Sequence, residues 1–195
     1  MKTLASRNTG VLLGLCVALA AAGCDHIQAP MNTEGLESEA QALVRQFAGQ
    51  LKPQLQRAME EGGASHAIEV CSALAPAIAG ELSISSGWTV KRVSLRQRNH
   101  STARPDDWEN AQLEDFNRRQ AAGEAPSQIR VAAVTNGQYR YMQAQGVEPL
   151  CLSCHGQNVS AEVRDALRQH YPHDQATGYS LGEVRGAISL IKRLP

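Results

Sequence analysis

"CLSCHG", Cys151–Gly156, separates two cysteines by two residues and sets a histidine directly after the second. Such spacing serves three chemistries: half of a zinc site, a redox dithiol, or the attachment point of a covalent haem. Each demands a different compartment and different partners, so the rest of the chain decides between them. The position of the stretch also bears on the fold, because it falls late in the 195-residue chain.

The N-terminus speaks to compartment. "MKTLASRN" carries Lys2 and Arg7, "VLLGLCVALAAAG" is uncharged from Val11 to Gly23, and Cys24 follows. This is the layout of an export signal. Its apolar run is short of the ~20 residues that span a bilayer. "AAGC" resembles the lipobox of bacterial lipoproteins, in which the cysteine is acylated. Ala21 stands where a leucine is more typical, and ordinary secretory cleavage near Ala22 or Ala29 is the alternative. An acylated Cys24 tethers the mature protein to a membrane face, each buried methylene contributing ~0.8 kcal/mol. Residues 25–35, "DHIQAPMNTEG", lack periodicity and read as a short tether. The expected organisation is therefore a lipoprotein-type signal over 1–23, a tether over 24–35 and one domain over 36–195, on the periplasmic side of a bacterial membrane.

Bulk composition excludes other classes. Lys plus Arg is 19 and Asp plus Glu is 19, so no basic excess points to nucleic acid. Aromatic residues make up only 4%, and a flat cofactor would supply apolar surface that they do not.

Of five cysteines, Cys16 leaves with the signal and Cys24 goes to lipid. Cys71, Cys151 and Cys154 remain, and three thiols cannot all pair in an oxidising compartment. Zinc on Cys151, Cys154 and His155 is poor geometry, since sequence-adjacent ligands rarely reach one ion and no second pair follows at finger spacing. A redox dithiol calls for a strand before it and a helix after it, whereas "GVEPL", with Pro149, precedes this one. Haem c accounts for the whole signature: two thiols add across the porphyrin vinyl groups and the next histidine reaches the iron. Cys71, read from the residues alone, is either a small buried hydrophobe or a thiol held by a metal.

Patterning outlines the domain. Apolar residues at 36, 40, 43, 44, 47, 51, 55, 58 and 59 predict a helix, kinked at Pro53. A second helix is expected from an N-capping Ser65, with Ile68, Cys71, Leu74, Ala75 and Ile78 on one side and Pro76 interrupting it. "GWTVKRVSLRQR" predicts a strand, and "DDWENAQLEDFNRRQAAG" a helix capped by Asp106 or Asp107 and stopped at Gly123. "RVAAVTNGQYRYMQA" predicts a hairpin around Asn136-Gly137. A helix over 160–170 and a closing strand "EVRGAISLIKR" complete an α+β fold with a mostly antiparallel sheet. The small all-helical cytochrome c fold, with its cysteines near the domain's N-terminus, is not expected.

Several stretches, "AIEVCSALAPAIA", "VKRVSLRQRN", "PDDWE", "CLSCHG" and "YPHDQATGYSLGEVRGAIS", resemble in order those of a single-haem c-type family with a PAS-like fold, over roughly residues 36–192. The chain departs from the family pattern at "RNHSTARPDDWE", where a proline would follow Arg-Asn. The resemblance implies a five-stranded PAS-like sheet and iron held by His155 on one face and Cys71 on the other.

Rival axial ligands are Met142, His66, His100, His170 and His173; each histidine is equally read as a solvated loop or cap residue. Arg92, Arg96, Arg98 and Arg185 are candidate partners of the haem propionates, or else exposed charges. A six-coordinate haem suits electron transfer or redox sensing with an unidentified redox partner protein. A haem-based gas sensor acting through a partner is the second class. A peroxidase or reductase would need an open iron position and proton-delivering groups such as His66 or His100, and a protein that is not an enzyme is expected.

Overall fold

The computed structural model describes residues 33–195. The expected signal, the acylated Cys24 and most of the tether lie outside the described residues. Helix α1 (Glu34–Ser86) leads into strand β1 (Thr89–Val93), helix α2 (Asp107–Ala121) and the hairpin β2 (Arg130–Thr135) and β3 (Gln138–Gly146). Short helix α3 (Leu152–His155), helix α4 (Ala161–His170) and strand β4 (Val184–Arg193) follow. The four strands form one antiparallel sheet in the order β1-β4-β3-β2. The α+β expectation holds at this level. The sheet has four strands among the described residues, against the five implied by the resemblance.

Alternation along the strands divides the core into two faces. Val90, Tyr139, Tyr141, Ile188 and Leu190 point to one side and are buried with Ala40, Val44, Phe47, Ala75, Ile78 and Leu82 of α1. Val93, Met142, Ala144 and Ala187 point to the other and are buried with Leu113 and Phe116 of α2. Met142 is thereby withdrawn into the apolar layer under α2, fully buried.

α1 corrects the expected helix boundaries. It runs through Pro53 and Pro76 and breaks instead at Gly62 (φ −149°, ψ 17°) and Gly63 (φ 70°, ψ −166°). Both prolines are exposed, so the carbonyl that each ring deprives of a donor can turn to solvent. The left-handed turn at Gly63 needs a residue without Cβ. Ser65 caps nothing; its Oγ is buried without a hydrogen-bond partner.

Strand β1 ends at Val93, five residues before the expected limit. There the backbone N–H of Arg96 donates to Ser94 Oγ at 3.2 Å, and the N–H groups of Ser101 and Thr102 both donate to Asn99 Oδ1 at 3.2 Å. Side-chain acceptors satisfy these donors locally, so the segment turns where a strand would continue. The hairpin forms as expected, with Asn136 (φ 51°) and Gly137 (φ 69°) both left-handed, as a type I′ turn requires.

α2 carries its own start signal. Asp106 accepts from the Glu109 N–H at 2.9 Å and Glu109 Oε2 accepts from the Asp106 N–H at 2.9 Å, a reciprocal capping box. Glu109 also faces the sheet at 0% exposure, accepting from Ser189 Oγ at 2.6 Å, from Lys91 Nζ at 2.8 Å and, more distantly, facing Arg140 Nη2 at 3.4 Å. Arg140 Nη2 donates to Asp106 Oδ2 at 2.6 Å, and its guanidinium lies 4.4 Å over the Trp108 ring. The network fastens α2 across β1, β4 and β3.

Removing one member of a buried ionic network strands the others. Glu109→Ala is expected to lower stability by about 3–5 kcal/mol, whereas Asp106→Thr, which keeps a capping oxygen but loses the Arg140 pair, is expected to cost less. Urea unfolding of both variants checks the order.

Candidate functional site

The CLSCHG segment sits where α1, α4 and the loop before β4 meet. A 3₁₀ turn over 149–151 runs directly into α3, so Cys151, Cys154 and His155 are presented on successive turns. Cys154 packs with Ile68 of α1, Val163 and Leu167 of α4 and Tyr171. Cys151 and Leu152 pack against Val147, Ala176 and Tyr179. Segment 171–180 wraps the other side: the Tyr179 N–H donates to His155 O at 2.9 Å and the Gly178 N–H to Gly156 O at 2.8 Å.

His155 is oriented by a backbone carbonyl. Its Nδ1 lies 2.6 Å from Ala176 O, a carbonyl that can only accept and so favours the proton on Nδ1 and the lone pair on Nε2, while Arg185 Nε–H is directed at the same nitrogen and favours the other tautomer. Arg98 Nη1 faces Nε2 at 3.4 Å, and Arg185 Nε lies 3.1 Å from Nδ1. Burial, then the charges of Arg185 and Arg98, hold the imidazole well below the usual histidine range despite the bond to Ala176. It is a neutral imidazole whose Nε2 meets only the Arg98 Nη1 contact at 3.4 Å.

Cys71, Cys151 and Cys154 are free, half-buried thiols. Cys154 is within electrostatic reach of both Cys71 and Cys151, so the three lie in one neighbourhood. Burial pushes the Cys71 thiol up, opposed by Arg92 and Arg98. It also pushes up Cys154, opposed by Arg98.

The arginines divide. Arg98 is a clamp: Nε donates to Asp174 Oδ1 at 3.2 Å and Nη2 to Cys154 O at 2.5 Å. Arg185 Nη1 donates to Ser94 Oγ at 2.8 Å and to Arg96 O at 3.0 Å. Burial brings its guanidinium down to about 10, with Tyr179 and, more weakly, Asp174 opposing and Arg92 and Arg98 adding to the fall. Arg96 is exposed and lies 4.2 Å over the Tyr179 ring. Arg92 points from β1 to the α1 side, 6.0 Å from the Phe47 ring centroid and in the field of Cys71. Among the described residues only Arg98 of Arg92, Arg98 and Arg185 has a carboxylate partner, Asp174. The neighbourhood therefore carries uncompensated positive charge.

The other described histidines make their contacts elsewhere. His66 faces Glu61 and Glu69, and His100 and His173 are exposed, their rings 6.0 Å apart. His170 ends α4. Asp174, Ala176 and Tyr179, which shape the site, were not singled out from sequence, although "YPHDQATGYS" contains all three.

A family model described as Tll0287-like matches residues 28–192. The crystal structure of the cyanobacterial heme-protein Tll0287 matches with a TM-score of 0.59, covering 85% of this chain and 97% of that one at 23% identity. That likeness establishes a shared fold. No curated protein matches the chain.

Linkage converts the shifts at the site into a pH profile for the unligated chain. His155 resists protonation in the fold, so the unfolded chain takes up the proton first as pH falls below ~6.5, and stability is lost on that side. Cys71 and Cys154 keep their protons in the fold while unfolded thiols ionise near ~8.5, so stability falls again as pH rises past that value. Urea midpoints across pH 5–10 are expected to peak between these limits, with His155→Gln flattening the acid limb and Cys71→Ser part of the alkaline one.

Proposed function

The chain belongs to the Tll0287-like family, and from that premise we propose that it is a haem protein of the c type. In this reading Cys151 and Cys154 hold the porphyrin through thioether bonds, and His155 and Cys71 are the axial ligands. The observation that carries it is the His155 geometry: Nδ1–H bound to Ala176 O leaves Nε2 as the donor, directly after two free thiols two residues apart and in the neighbourhood of a third.

The residues fit the group. A carbonyl on Nδ1 is the partner that a metal-bound imidazole ordinarily has. The thiols are unpaired with one another, as thioether formation needs. Arg92 and Arg185 are desolvated guanidiniums with no carboxylate of their own among the described residues, and two propionates would compensate them through charge-assisted bonds. Burial raises the Cys71 thiol, and the charges of Arg92 and Arg98 oppose that rise. Bound there, haem supplies a one-electron iron couple whose potential a thiolate ligand lowers.

We read the sheet as PAS-like, with α1 covering one face and the haem segment beside its end. Two protein ligands would fill the iron, which suits electron transfer or redox sensing more than turnover. Membrane tethering through Cys24 at the periplasmic face completes the reading, with the signal passed to a redox partner.

Mass spectrometry of exported protein is expected to show one haem added covalently, with a c-type pyridine haemochrome. Cys154→Ser is expected to lower the covalent haem yield severely. Cys71→Ser is expected to keep the adduct and lose a thiolate signature in ferric absorption and EPR spectra. A wild-type polypeptide exported alongside a working haem-attachment system but carrying no added mass would sink the proposal.

A further inference from the structure

We infer that Arg98 and Asp174 form a positioning pair that tunes the His155 ligand by aiming the Ala176 carbonyl at its ring, an inference that rests on the haem reading above. The pair is built from both sides of the site. Asp174 Oδ1 accepts from Arg98 Nε at 3.2 Å and from the Ala176 N–H at 2.9 Å, and Oδ2 accepts from Arg98 Nη2 at 3.3 Å. The same Nη2 reaches Cys154 O at 2.5 Å and Ala176 O at 3.3 Å. The two side chains are only 11% and 10% exposed.

Each contact constrains one end of the histidine's surroundings. The Asp174 side chain closes a turn onto the N–H of Ala176, fixing that residue's peptide plane. Arg98 grips the carbonyl preceding His155 and the one that receives its Nδ1 proton. Residues on the loop after β1, on α3 and on the segment after α4 are thus tied into one frame around the Ala176 carbonyl, the shorter of the two contacts to Nδ1, the other being Arg185 Nε at 3.1 Å. Arg98 Nε and Nη2 do this on the Asp174 side, while Nη1 alone faces Nε2.

The consequence is electronic. A firm Nδ1–H···O=C bond makes the imidazole a stronger donor, and a stronger donor favours ferric iron and lowers the potential. Loosening the frame therefore raises the potential whichever partner is removed. Simple electrostatics gives the two partners opposite signs: neutralising Asp174 raises the potential, as loosening does, but neutralising Arg98 lowers it, so the Arg98 variants discriminate.

The difference in sign is the test. Spectroelectrochemical titration of the full-length, haem-bearing protein is expected to show an upward shift for Asp174→Asn, for Arg98→Gln and for Arg98→Lys, the last keeping the charge but not the two-pronged grip. A downward shift for Arg98→Gln, or an unchanged potential for Arg98→Lys, overturns the inference. If Arg98→Gln does not accumulate, Arg98→Lys decides by the same criterion. Haem content by mass separates the two levels: wild type without haem removes the functional reading, whereas haem-loaded variants with wild-type potentials remove only the positioning pair.

Discussion

One hydrogen bond, from His155 Nδ1 to the Ala176 carbonyl at 2.6 Å, organises the functional end of the molecule. The carbonyl can only accept, so it favours the proton on Nδ1 and the lone pair on Nε2, against the Arg185 Nε–H aimed at the same nitrogen at 3.1 Å. To hold the bond to Ala176, segment 171–180 must lie along α3, which it does through the backbone bonds from Tyr179 and Gly178. The loop after β1 must reach both, which it does through Arg98. The turns after Val93 that cut the expected strand short are the route by which Arg98 arrives.

Charge is the second organising constraint. Arg92, Arg98 and Arg185 sit in each other's fields, and only Asp174 answers them with a carboxylate among the described residues. Three guanidiniums drawn out of water carry a considerable desolvation cost, and an anionic group bound against them would relieve it. The opposite face of the sheet shows the finished alternative. There Lys91 and Arg140 meet Glu109 and Asp106, and the network holds α2 to the sheet. Of the two cationic clusters, one has its own anions and the other is short of them.

Much of the fold was legible locally. The Asn136-Gly137 turn, a capping aspartate at 106 or 107, the helix over 160–170 and the closing strand each depend on residues within a few positions of one another, and the structure has the turn, the cap at Asp106, α4 from Ala161 and β4 from Val184. The misjudged features depended on surroundings. Pro53 and Pro76 read as breaks, yet a proline in a long helix is tolerated where the freed carbonyl can meet solvent and the other face is anchored by packing. Gly62 and Gly63, passed over, supply the break because the second adopts a left-handed conformation. Met142, a plausible sulfur ligand by composition, is removed from contention by parity: β3 turns it to the α2 face, with Ala144, while Tyr139 and Tyr141 face α1.

The chain by itself determined the order of most elements and made the motif a candidate for haem attachment, because a cysteine spacing, a turn type and a helical period are properties of neighbours. It also contained Cys71, Arg92, Arg98, Asp174 and Arg185, but as separate candidates on five different stretches. Only the tertiary structure decided which of them meet. Arg98 and Asp174 pair across 76 positions, and the carbonyl that receives the His155 proton comes from a residue, Ala176, whose side chain announces nothing. A backbone acceptor has no sequence signature; folding alone brings it to the ring.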